Sequence, residues 1–425
     1  MTIGGRVAAK QISSLIAKHH RFRANCLNMI PAENVTSPSL RQIVASDFMH
    51  RYGEYEQHDI EKRWDEGNIY VIEVEKITRD LAKKLFDVEY VDLRPVSGHL
   101  AILSSIAAFA KPGTVVFEVA GTNGGHEWFH FPRNISIVSY RPAFYPFDIE
   151  EWNIDVDAAS KQIREMRPSA LILGASFYLF PHPVRELVSV ANEIGAAVLC
   201  DEAHVLGLVA GKQWPNPLSN GAHVFTGSTH KTFPGPQKGI VMTNNAEVAR
   251  KVATAIYPSL TTNHHLMNVA ALGYGLAEML TYGEAYAKQV VKNAKALASS
   301  LAGEGFDIVG EQKGFTQSHQ VLVKTDNYMP GPSAAKLLER TNIIVNKMEL
   351  QGANGVRTGT NEITRMGMQK SDMTEITKFY RQAIIDKKNP EQIARRIRVF
   401  ASRFKKIKYS FDAGRNPYVQ PQAAK

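Results

Sequence analysis

The sequence predicts an α/β protein with a large domain, built on a mostly parallel sheet flanked by helices, and a smaller C-terminal α+β domain. Short apolar segments of strand length alternate with helical patterns through the middle of the chain, as in folds made of βαβ units. The chain has 425 residues, of which 44% are hydrophobic and 21% are charged. That composition is ordinary for a globular protein, and the length is roughly two to three times that of a usual domain.

The alternation of strands and helices extends from residue 98 to residue 243, with short connections that carry Gly or Pro. The predicted strands are 114–119, 135–140, 170–173, 196–200, 224–227 and 239–243. The predicted helices are 98–110, 156–166 and 184–194. This order is typical of a parallel sheet covered by helices.

The pattern changes near residue 282, where a long predicted helix continues to residue 302. Beyond it, strand-like segments at 306–309, 320–323 and 343–345 are interleaved with helical patterns at 334–340 and 372–385. We therefore place an N-terminal arm at 1–45, the large domain at 46–281, the small domain at 282–412 and a loose tail at 413–425.

The net charge of +9 is concentrated near the C-terminus. Residues 386–425 contain eleven Lys or Arg and three Asp or Glu, so the first 385 residues carry only +1. Apolar residues recur in this segment at the spacing of an amphipathic helix, at Ile393, Ile397, Phe400, Phe404 and Ile407. We expect a docked terminal helix with a solvated basic face. Contact of that face with nucleic acid or a membrane is the alternative, and the rest of the chain offers no basic surface for it.

Several classes of protein are disfavoured by what the sequence lacks. Apolar stretches such as 171–180 reach about half of the roughly 20 residues that a membrane helix needs, and the first residues contain no continuous apolar signal core. The two cysteines, Cys26 and Cys200, are too few for a disulfide framework or a structural zinc site. We expect a cytoplasmic protein without a membrane partner, a nucleic-acid partner or a bound metal.

Asp201 and Lys231 provide the first indication of chemistry. Each follows an apolar strand, and ligands of doubly wound sheets bind at the carboxyl edge of the strands. A carboxylate there is costly unless a cation meets it, and a lysine there can act as a nucleophile. A carbonyl cofactor whose ring nitrogen must stay protonated uses such a pair, with the acid at the ring nitrogen and the amine at the carbonyl carbon. The pair therefore indicates pyridoxal phosphate bound covalently to Lys231.

Two further segments suit such a cofactor. Ser97 and Gly98 begin a long predicted helix, where backbone amides and the Ser97 hydroxyl can hold a phosphate. In isolation, a Ser-Gly pair before a helix is usually only an N-cap. His126 follows a predicted strand and two glycines, so a neutral imidazole there could stack on the cofactor ring. A lone histidine in that place is more often structural.

An amino-acid substrate also needs a group that binds its carboxylate, and arginine does so with two parallel hydrogen bonds. Arg357 follows a turn in the predicted small domain, and Arg365 is the competing candidate eight residues later. On sequence alone, either arginine is as consistent with a surface position or a salt bridge as with substrate binding.

Five separated motifs resemble those of the serine hydroxymethyltransferases, especially the archaeal-type branch, and those of the related L-threonine transaldolases. The likeness extends in order from about residue 25 to residue 410. The motifs are MIPAENVTSP at 29–38, ASFYLFPHP at 175–183, DEAHVLGL at 201–208, THKTFPGPQKG at 229–239 and GVRTGTNEITRMGM at 355–368, and GFTQSHQV at 314–321 accompanies them in the transaldolases.

The resemblance implies a fold-type I pyridoxal-phosphate enzyme with a seven-stranded, mostly parallel sheet. By position, Lys231 would form the Schiff base, Asp201 would bind the ring nitrogen, His126 would stack on the ring and Arg357 would bind the substrate carboxylate. The resemblance also implies that His230 adjoins the lysine, with a catalytic role. The other implied cofactor-binding residues are Ser97, Gly98, His99, Ser176, His204, Ser228 and Asn263, with His99 in place of a small hydroxyl residue.

The family's active sites lie between subunits, so the resemblance implies a homodimer or a dimer of dimers. Tyr52 and Glu54 would reach in from the other subunit as catalytic and substrate-binding residues, with Glu54 as the proton-handling carboxylate. Asn263 and His264 fall where that subunit would meet the cofactor phosphate.

The departures from the family pattern concern the substrate. Ala32 stands where the family has a serine. Asp65 follows an insertion at 55–61 and stands where the family has the second residue of a tyrosine pair, on the substrate side of the site. The ten residues that separate Asn346 from Arg357 form a shorter loop than in family members that bind a reduced pterin. We therefore expect weak or no dependence on a tetrahydrofolate-type carrier.

The implied reaction is an aldol or retro-aldol transfer. A β-hydroxy-α-amino acid of the serine or threonine type is interconverted with glycine and an aldehyde or one-carbon unit. Hydroxymethyl transfer and L-threonine transaldolation without a pterin are equal alternatives at this point. An aminotransferase or decarboxylase of the same fold is a further one, and a non-catalytic binding protein is disfavoured because Lys231, Asp201 and Arg357 are all present.

Overall fold

A computed structural model of the chain describes residues 4–126 and 139–418. The helices are α1 (Gly5–Arg23), α2 (Pro38–Val44), α3 (Ile69–Phe86), α4 (Gly98–Phe109), α5 (Val156–Met166), α6 (Val184–Ile194), α7 (Leu206–Ala210), α8 (Ala246–Thr254), α9 (Leu266–Gly303), α10 (Gly331–Arg340), α11 (Asn361–Arg365), α12 (Lys370–Ile384) and α13 (Pro390–Ala401). The strands are β1 (Leu27–Asn28), β2 (Tyr90–Asp92), β3 (Val115–Glu118), β4 (Arg141–Phe144), β5 (Phe147–Asp148), β6 (Asn153–Ile154), β7 (Ala170–Leu173), β8 (Ala197–Asp201), β9 (Val224–Ser228), β10 (Gly239–Thr243), β11 (Asp307–Ile308), β12 (Gln320–Lys324), β13 (Ile343–Ile344), β14 (Asn346–Leu350) and β15 (Ala353–Gly359).

The large sheet has seven strands in the order β2-β10-β9-β8-β7-β3-β4. β10 is antiparallel to both of its neighbours, and the other pairings in the sheet are parallel. In the register of β8 and β9, Asp201 lies opposite Thr226, so the carboxyl ends of these two strands are adjacent. The predicted fold class, with a seven-stranded and mostly parallel sheet, is confirmed.

Helices cover both faces of this sheet because its central strands are apolar on both sides. Val116 and Leu199 belong to a core under α4 and α8, whereas their neighbours Phe117 and Cys200 belong to a core under α5 and α6. A third core, with Phe225 at its centre, joins the sheet to α3, α7 and α9. Side chains alternate between the two faces along a strand, so the side chain of Asp201 lies on the same face of the sheet as Leu199 and α4.

The smaller unit contains a four-stranded antiparallel sheet in the order β11-β12-β15-β14, packed against α9 and α10. α12 and α13 belong to the same hydrophobic core. β1 pairs in parallel with β13, so the N-terminal segment is joined to this unit. The predicted α+β character of the C-terminal part is confirmed. The domain limits themselves stay a prediction, and the limit at 281–282 falls inside α9.

Two predicted elements differ from the structure. The long helix begins at Leu266, sixteen residues before the predicted start. Its first half was missed because it is buried on nearly all sides and includes Gly273 and Gly275, so it shows no amphipathic period. The predicted strand at 135–140 falls largely outside the described residues, and the described strand beside β3 is β4. β4 forms the edge of the sheet, which is where a strand tolerates Pro142.

The C-terminal helix α13 is docked as predicted. Ile393, Ile397 and Phe400 are buried, and basic residues of the same helix are exposed. The helix ends at Ala401, before Phe404 and Ile407, although Ile407 is itself buried. The first described residues of the predicted loose tail are packed, since the Tyr418 hydroxyl bonds to Glu362 and accepts a hydrogen bond from Asn28 at 2.8 Å. Within residues 4–126 and 139–418, no helix is long and apolar enough to cross a membrane.

Candidate active site

The carboxyl ends of β3, β7, β8 and β9 and the start of α4 surround a small pocket. Eight of the proposed site residues line it: Gly98, His99, His126, Ser176, Asp201, His204, Ser228 and Lys231. These residues come from five separate segments of the chain, and the topology of the sheet brings them together. The pocket lies where a doubly wound sheet binds its ligand.

Asp201 and Lys231 influence each other across this pocket. Asp201 Oδ1 accepts hydrogen bonds from the Ala203 amide at 3.1 Å and the Thr226 hydroxyl at 3.4 Å. Burial raises the pKa of Asp201, and Lys231 opposes that shift. Burial lowers the pKa of Lys231 to about 8, and Asp201 opposes it. More of this amine is therefore neutral near pH 7 than in an exposed lysine, while each group favours the charged form of the other.

The start of α4 is suited to an anion. Ser97 is the N-cap, and its Oγ accepts a hydrogen bond from the Leu100 amide at 3.1 Å. The first amides of an α-helix have no acceptor within the helix, and they lie at the positive end of its dipole. A Cβ at Gly98 would lie 1.9 Å from Ser228 Oγ, so glycine is needed for this close approach of α4 to β9.

Four histidines line or flank the pocket, and burial lowers the pKa of each, which favours the neutral ring. The His126 ring lies edge-on to the His99 ring, with centroids 5.8 Å apart, and burial lowers the pKa of His126 to about 3. The His204 ring stacks on the His319 ring at 5.7 Å and 21°. Burial also lowers the pKa of His204, and in the described part of the chain its buried Nδ1 has no hydrogen-bond partner. That nitrogen is available to a ligand in the pocket.

Arg357 lies beside the pocket on β15. Its Nη1 donates to the Ser176 carbonyl, and its Nη2 donates to Asn346 Oδ1 at 3.0 Å. The guanidinium stands 4.5 Å from the centroid of the Phe177 ring. Its buried Nε has no partner among the described residues, and burial lowers the pKa of the group to about 10. Arg357 is thus fixed in place with a donor left over, as expected of a group that binds a carboxylate.

Arg365, the competing arginine, has a structural position. It is fully buried and pairs with Glu278 at 2.6 Å. It also donates to the carbonyls of Tyr409, at 2.5 Å, and Val35, at 3.3 Å. Its guanidinium is paired and hydrogen-bonded inside the fold, so it is not positioned to bind a substrate carboxylate.

Ser97 and Arg357 adjoin the pocket without lining it, and five further proposed residues do not line it in the single chain. Tyr52 is 55% exposed, and Glu54 accepts a hydrogen bond from the Tyr257 hydroxyl at 3.3 Å. Asp65 and Asn263 likewise lie outside it, and His230, the residue before Lys231, lines a separate groove.

Sequence reasoning missed two residues at the site. Glu118 ends β3 and lines the pocket, and burial raises its pKa to about 8. Its place at the end of a strand, like that of Asp201, is the signal that could have identified it. His319 supports His204 and lies with its Nε2 3.2 Å from the Pro31 carbonyl oxygen. Nothing in the sequence predicts that contact, which joins residues 288 positions apart.

The pocket fits a planar carbonyl cofactor that carries a phosphate. A partly neutral amine stands near a buried carboxylate, the start of α4 supplies an anion site, and His204 Nδ1 lacks a partner among described residues. A pocket of this kind, on a mostly parallel seven-stranded sheet with a smaller α+β unit, defines a fold-type I pyridoxal-phosphate transferase.

Comparison with known proteins identifies the family. The chain belongs to the serine hydroxymethyltransferase family, whose pattern it matches over residues 6–380. It is 44% identical to a serine hydroxymethyltransferase of Thermococcus gammatolerans over 95% of this chain and 97% of that protein. It is 43% identical to the one of Korarchaeum cryptofilum, with the same coverage. Among solved structures, it resembles the L-threonine transaldolase of Pseudomonas fluorescens, with a TM-score of 0.90, 28% identity and coverage of 95% of this chain and 94% of that one.

These findings confirm the family, the fold and the class of enzyme. The chain is a pyridoxal-phosphate-dependent transferase of amino-acid metabolism, and the family implies pyridoxal phosphate as its cofactor.

Proposed function

We propose that this enzyme interconverts serine and glycine by cleaving and forming the Cα–Cβ bond of a β-hydroxy amino acid. The one-carbon unit leaves or arrives at the oxidation level of formaldehyde, either free or on a carrier. The full-length similarity to archaeal serine hydroxymethyltransferases supports this choice. The observation that carries it is the single pocket in which Lys231, Asp201 and the start of α4 meet, with Arg357 beside it. When bound there, pyridoxal phosphate supplies an electron sink for the electrons of the broken bond.

Lys231 holds the cofactor covalently in this proposal. Its partly neutral amine can attack a carbonyl carbon, and the Asn34 side chain fixes its backbone by donating to the Lys231 carbonyl at 2.8 Å. Asp201 holds a proton on the ring nitrogen, because a buried carboxylate is stabilised by a cationic partner. The start of α4, with Ser97, Gly98, His99 and Ser228 around it, binds the phosphate.

The substrate is held by its carboxylate, which accepts hydrogen bonds from Arg357. Two donors of one guanidinium bind a carboxylate in a fixed plane, so Arg357 also orients the bonds of Cα. Phe177 and Asn346 keep the guanidinium in that plane. His126, Ser176 and His204 line the pocket and would hold the cofactor ring, with His126 stacked on it, and His230 adjoins the lysine.

We also propose that the active site is completed by a second copy of the chain, in a homodimer or a dimer of dimers. Tyr52, Glu54, Asp65 and Asn263 would reach the neighbouring pocket, with Glu54 moving a proton at the substrate hydroxyl. Large apolar side chains are exposed on α1 and around residues 49–70, and exposed apolar patches of this kind mark interaction surfaces. They are Val7, Ile12, Leu15, Ile16, Met49, Tyr52, Trp64, Ile69 and Tyr70.

Transaldolation of L-threonine is the second candidate. The structural match to a threonine transaldolase favours it, as do Ala32 and Asp65 in place of a serine and a tyrosine of the family pattern. Both candidates share the cleavage of Cα from Cβ and differ in the carrier of the released fragment.

Product analysis separates the two candidates. Purified protein is incubated with serine or threonine, with and without tetrahydrofolate or an added aldehyde, and glycine, acetaldehyde and new β-hydroxy amino acids are measured. Glycine from serine supports hydroxymethyl transfer. Acetaldehyde from threonine that depends on the added aldehyde, together with the β-hydroxy amino acid formed from that aldehyde, supports transaldolation. Accumulation of pyridoxamine phosphate or release of carbon dioxide would contradict both, because these are the products of an aminotransferase and a decarboxylase of the same fold.

A further inference from the structure

A second set of buried charged groups surrounds Tyr55, outside the pocket. Tyr55 is fully buried, and the guanidinium groups of Arg63, Arg79 and Arg94 lie 5.0, 5.3 and 4.9 Å from its ring centroid. Arg79 donates to the Tyr55 hydroxyl at 2.8 Å, and Arg94 donates to the Tyr55 carbonyl at 3.1 Å. Attraction between a cation and an aromatic face strengthens when both are removed from water.

Carboxylates compensate two of these cations, Arg63 and Arg94, inside the fold. Glu75 pairs with Arg63 and lies 2.9 Å from His264 Nε2, and Asp92 binds Arg94 through two oxygens, at 2.5 and 3.0 Å. Buried charges persist only when they are paired and hydrogen-bonded in this way. We call this set the Tyr55 cluster; its members are Tyr55, Arg63, Glu75, Arg79, Asp92, Arg94, Lys238 and His264.

The Tyr55 cluster holds the segment that carries Glu54. Arg63 donates to the carbonyls of Gly53 and, at 3.1 Å, Ile60, so it binds both ends of the insertion. The Trp64 amide donates to the Glu54 carbonyl at 3.1 Å. The backbone around Glu54 is therefore held by hydrogen bonds that involve Gly53, Glu54 and Tyr55.

Lys238 connects the same cluster to the cofactor pocket. Its buried Nζ donates to the His264 carbonyl at 3.1 Å and lies 3.5 Å from the Pro95 carbonyl oxygen. Pro95 precedes the Ser97 cap of α4, and the Gly239 amide, next to Lys238, also donates to the Pro95 carbonyl at 3.1 Å. One ammonium thus contacts the segment before the phosphate site and the segment that contains Asn263.

We infer that Tyr55 and Lys238 are positioning residues for the segment 51–65. Each copy of the chain presents this segment to the active site of its neighbour, and Tyr55 and Lys238 fix it to the copy's own cofactor pocket. The inference rests on the proposed function, because it takes Glu54 to act in the neighbouring site. It adds that the insertion at 55–61 is anchored from inside the copy that donates it. Loss of an anchor then damages the site of the other copy.

Hybrid dimers test this inference. The acceptor copy carries Glu54→Gln and keeps Lys231, and the donor copy carries Lys231→Ala and keeps Glu54. Both homodimers are expected to be inactive, whereas the hybrid regains one site, which uses Lys231 of the acceptor and Glu54 of the donor. Copies with different affinity tags are co-expressed, the hybrid is purified through both tags, and glycine production is measured.

Tyr55→Leu is then placed in one copy at a time. In the donor copy we expect kcat to fall about 100-fold, the effect of a shift of about 1 Å in a catalytic group. The affinity of the acceptor for pyridoxal phosphate, measured by titration, should stay unchanged. In the acceptor copy the same substitution should leave kcat unchanged, because the segment that it loosens faces the site without a lysine.

Two further variants keep the test decisive if Tyr55→Leu does not fold. Tyr55→Phe keeps the ring among the guanidiniums and removes only the acceptor of Arg79, so it should give a smaller loss, again from the donor copy. Lys238→Met should lower kcat from the donor copy, and from the acceptor copy it should weaken cofactor binding. Lys84→Met, which removes an exposed lysine from α3, the helix that carries Glu75, is the matched control and should change neither.

Equal losses from either copy would overturn the inference, because they would show a general role in folding. A hybrid without these substitutions that remains inactive would instead show that the sites are not shared. That result would remove the shared site from the proposed function and the inference with it.

Discussion

The Asp201→Asn substitution should lower the catalytic rate far more than the affinity of the pocket for the cofactor. The substitution keeps the size of the side chain and can keep the bonds from Ala203 and Thr226, at 3.1 and 3.4 Å. It removes the negative charge that balances Lys231 and would hold a proton on the cofactor ring. Removal of a preorganised electrostatic contact from a buried active site costs about 3 to 4 kcal/mol, or about 10²- to 10³-fold in kcat.

Cofactor affinity should change much less, because the phosphate site at the start of α4 does not involve Asp201. We expect the affinity for pyridoxal phosphate, measured by fluorescence titration of the apo-protein, to fall by less than about tenfold, or 1.4 kcal/mol. Rates of glycine formation give kcat for the same preparation. A variant with near wild-type kcat, or one that loses the cofactor and the activity in equal measure, would refute the assigned role of Asp201.

Three further outcomes are expected. Glu278→Gln should lower the free energy of unfolding by about 3 to 5 kcal/mol, because it leaves the buried Arg365 charge without its partner. Glu193→Gln, in an exposed ion pair, should lower it by at most about 1 kcal/mol. Chemical denaturation measures both values, and equal effects would contradict the structural role of the buried pair. The rate at which apo-protein recombines with pyridoxal phosphate should rise with pH and reach half of its maximum near pH 8. The reason is that the pKa of Lys231 is lowered to about 8 and the neutral amine is the reactive form. A rate that keeps rising to about pH 10, as for an exposed lysine, would argue against a buried amine. Serine cleavage should depend weakly or not at all on tetrahydrofolate, since the predicted loop at 346–357 is a tight hairpin of β14 and β15. A strong, saturable acceleration would show that the carrier is bound.

The part of the site that the sequence could predict lies at strand ends. Asp201 and Lys231 each follow an apolar strand, and the register of β8 and β9 makes the meeting of such ends a consequence of topology. The same reasoning extends to Gly98 at the start of α4. These residues are positioned by local structure and by one sheet, so a pattern in the sequence is enough to find them.

The remaining part depends on contacts between distant segments. The choice between Arg357 and Arg365 needed the fold, because only the fold places Glu278 beside Arg365 and leaves Arg357 Nε without a partner among the described residues. His319 reaches the site by stacking on His204. In sequence, such residues look like any other polar residue in a small domain.

In the proposed function, Lys231 holds pyridoxal phosphate covalently in the pocket at the edge of the large sheet. The most direct test is borohydride reduction of the purified holoenzyme, followed by mass spectrometry of its peptides. We expect a phosphopyridoxyl group on Lys231, and none on the protein after Lys231→Ala. A reduced adduct on another lysine of the wild-type protein, or cofactor that is still trapped covalently in the Lys231→Ala variant, would contradict the account.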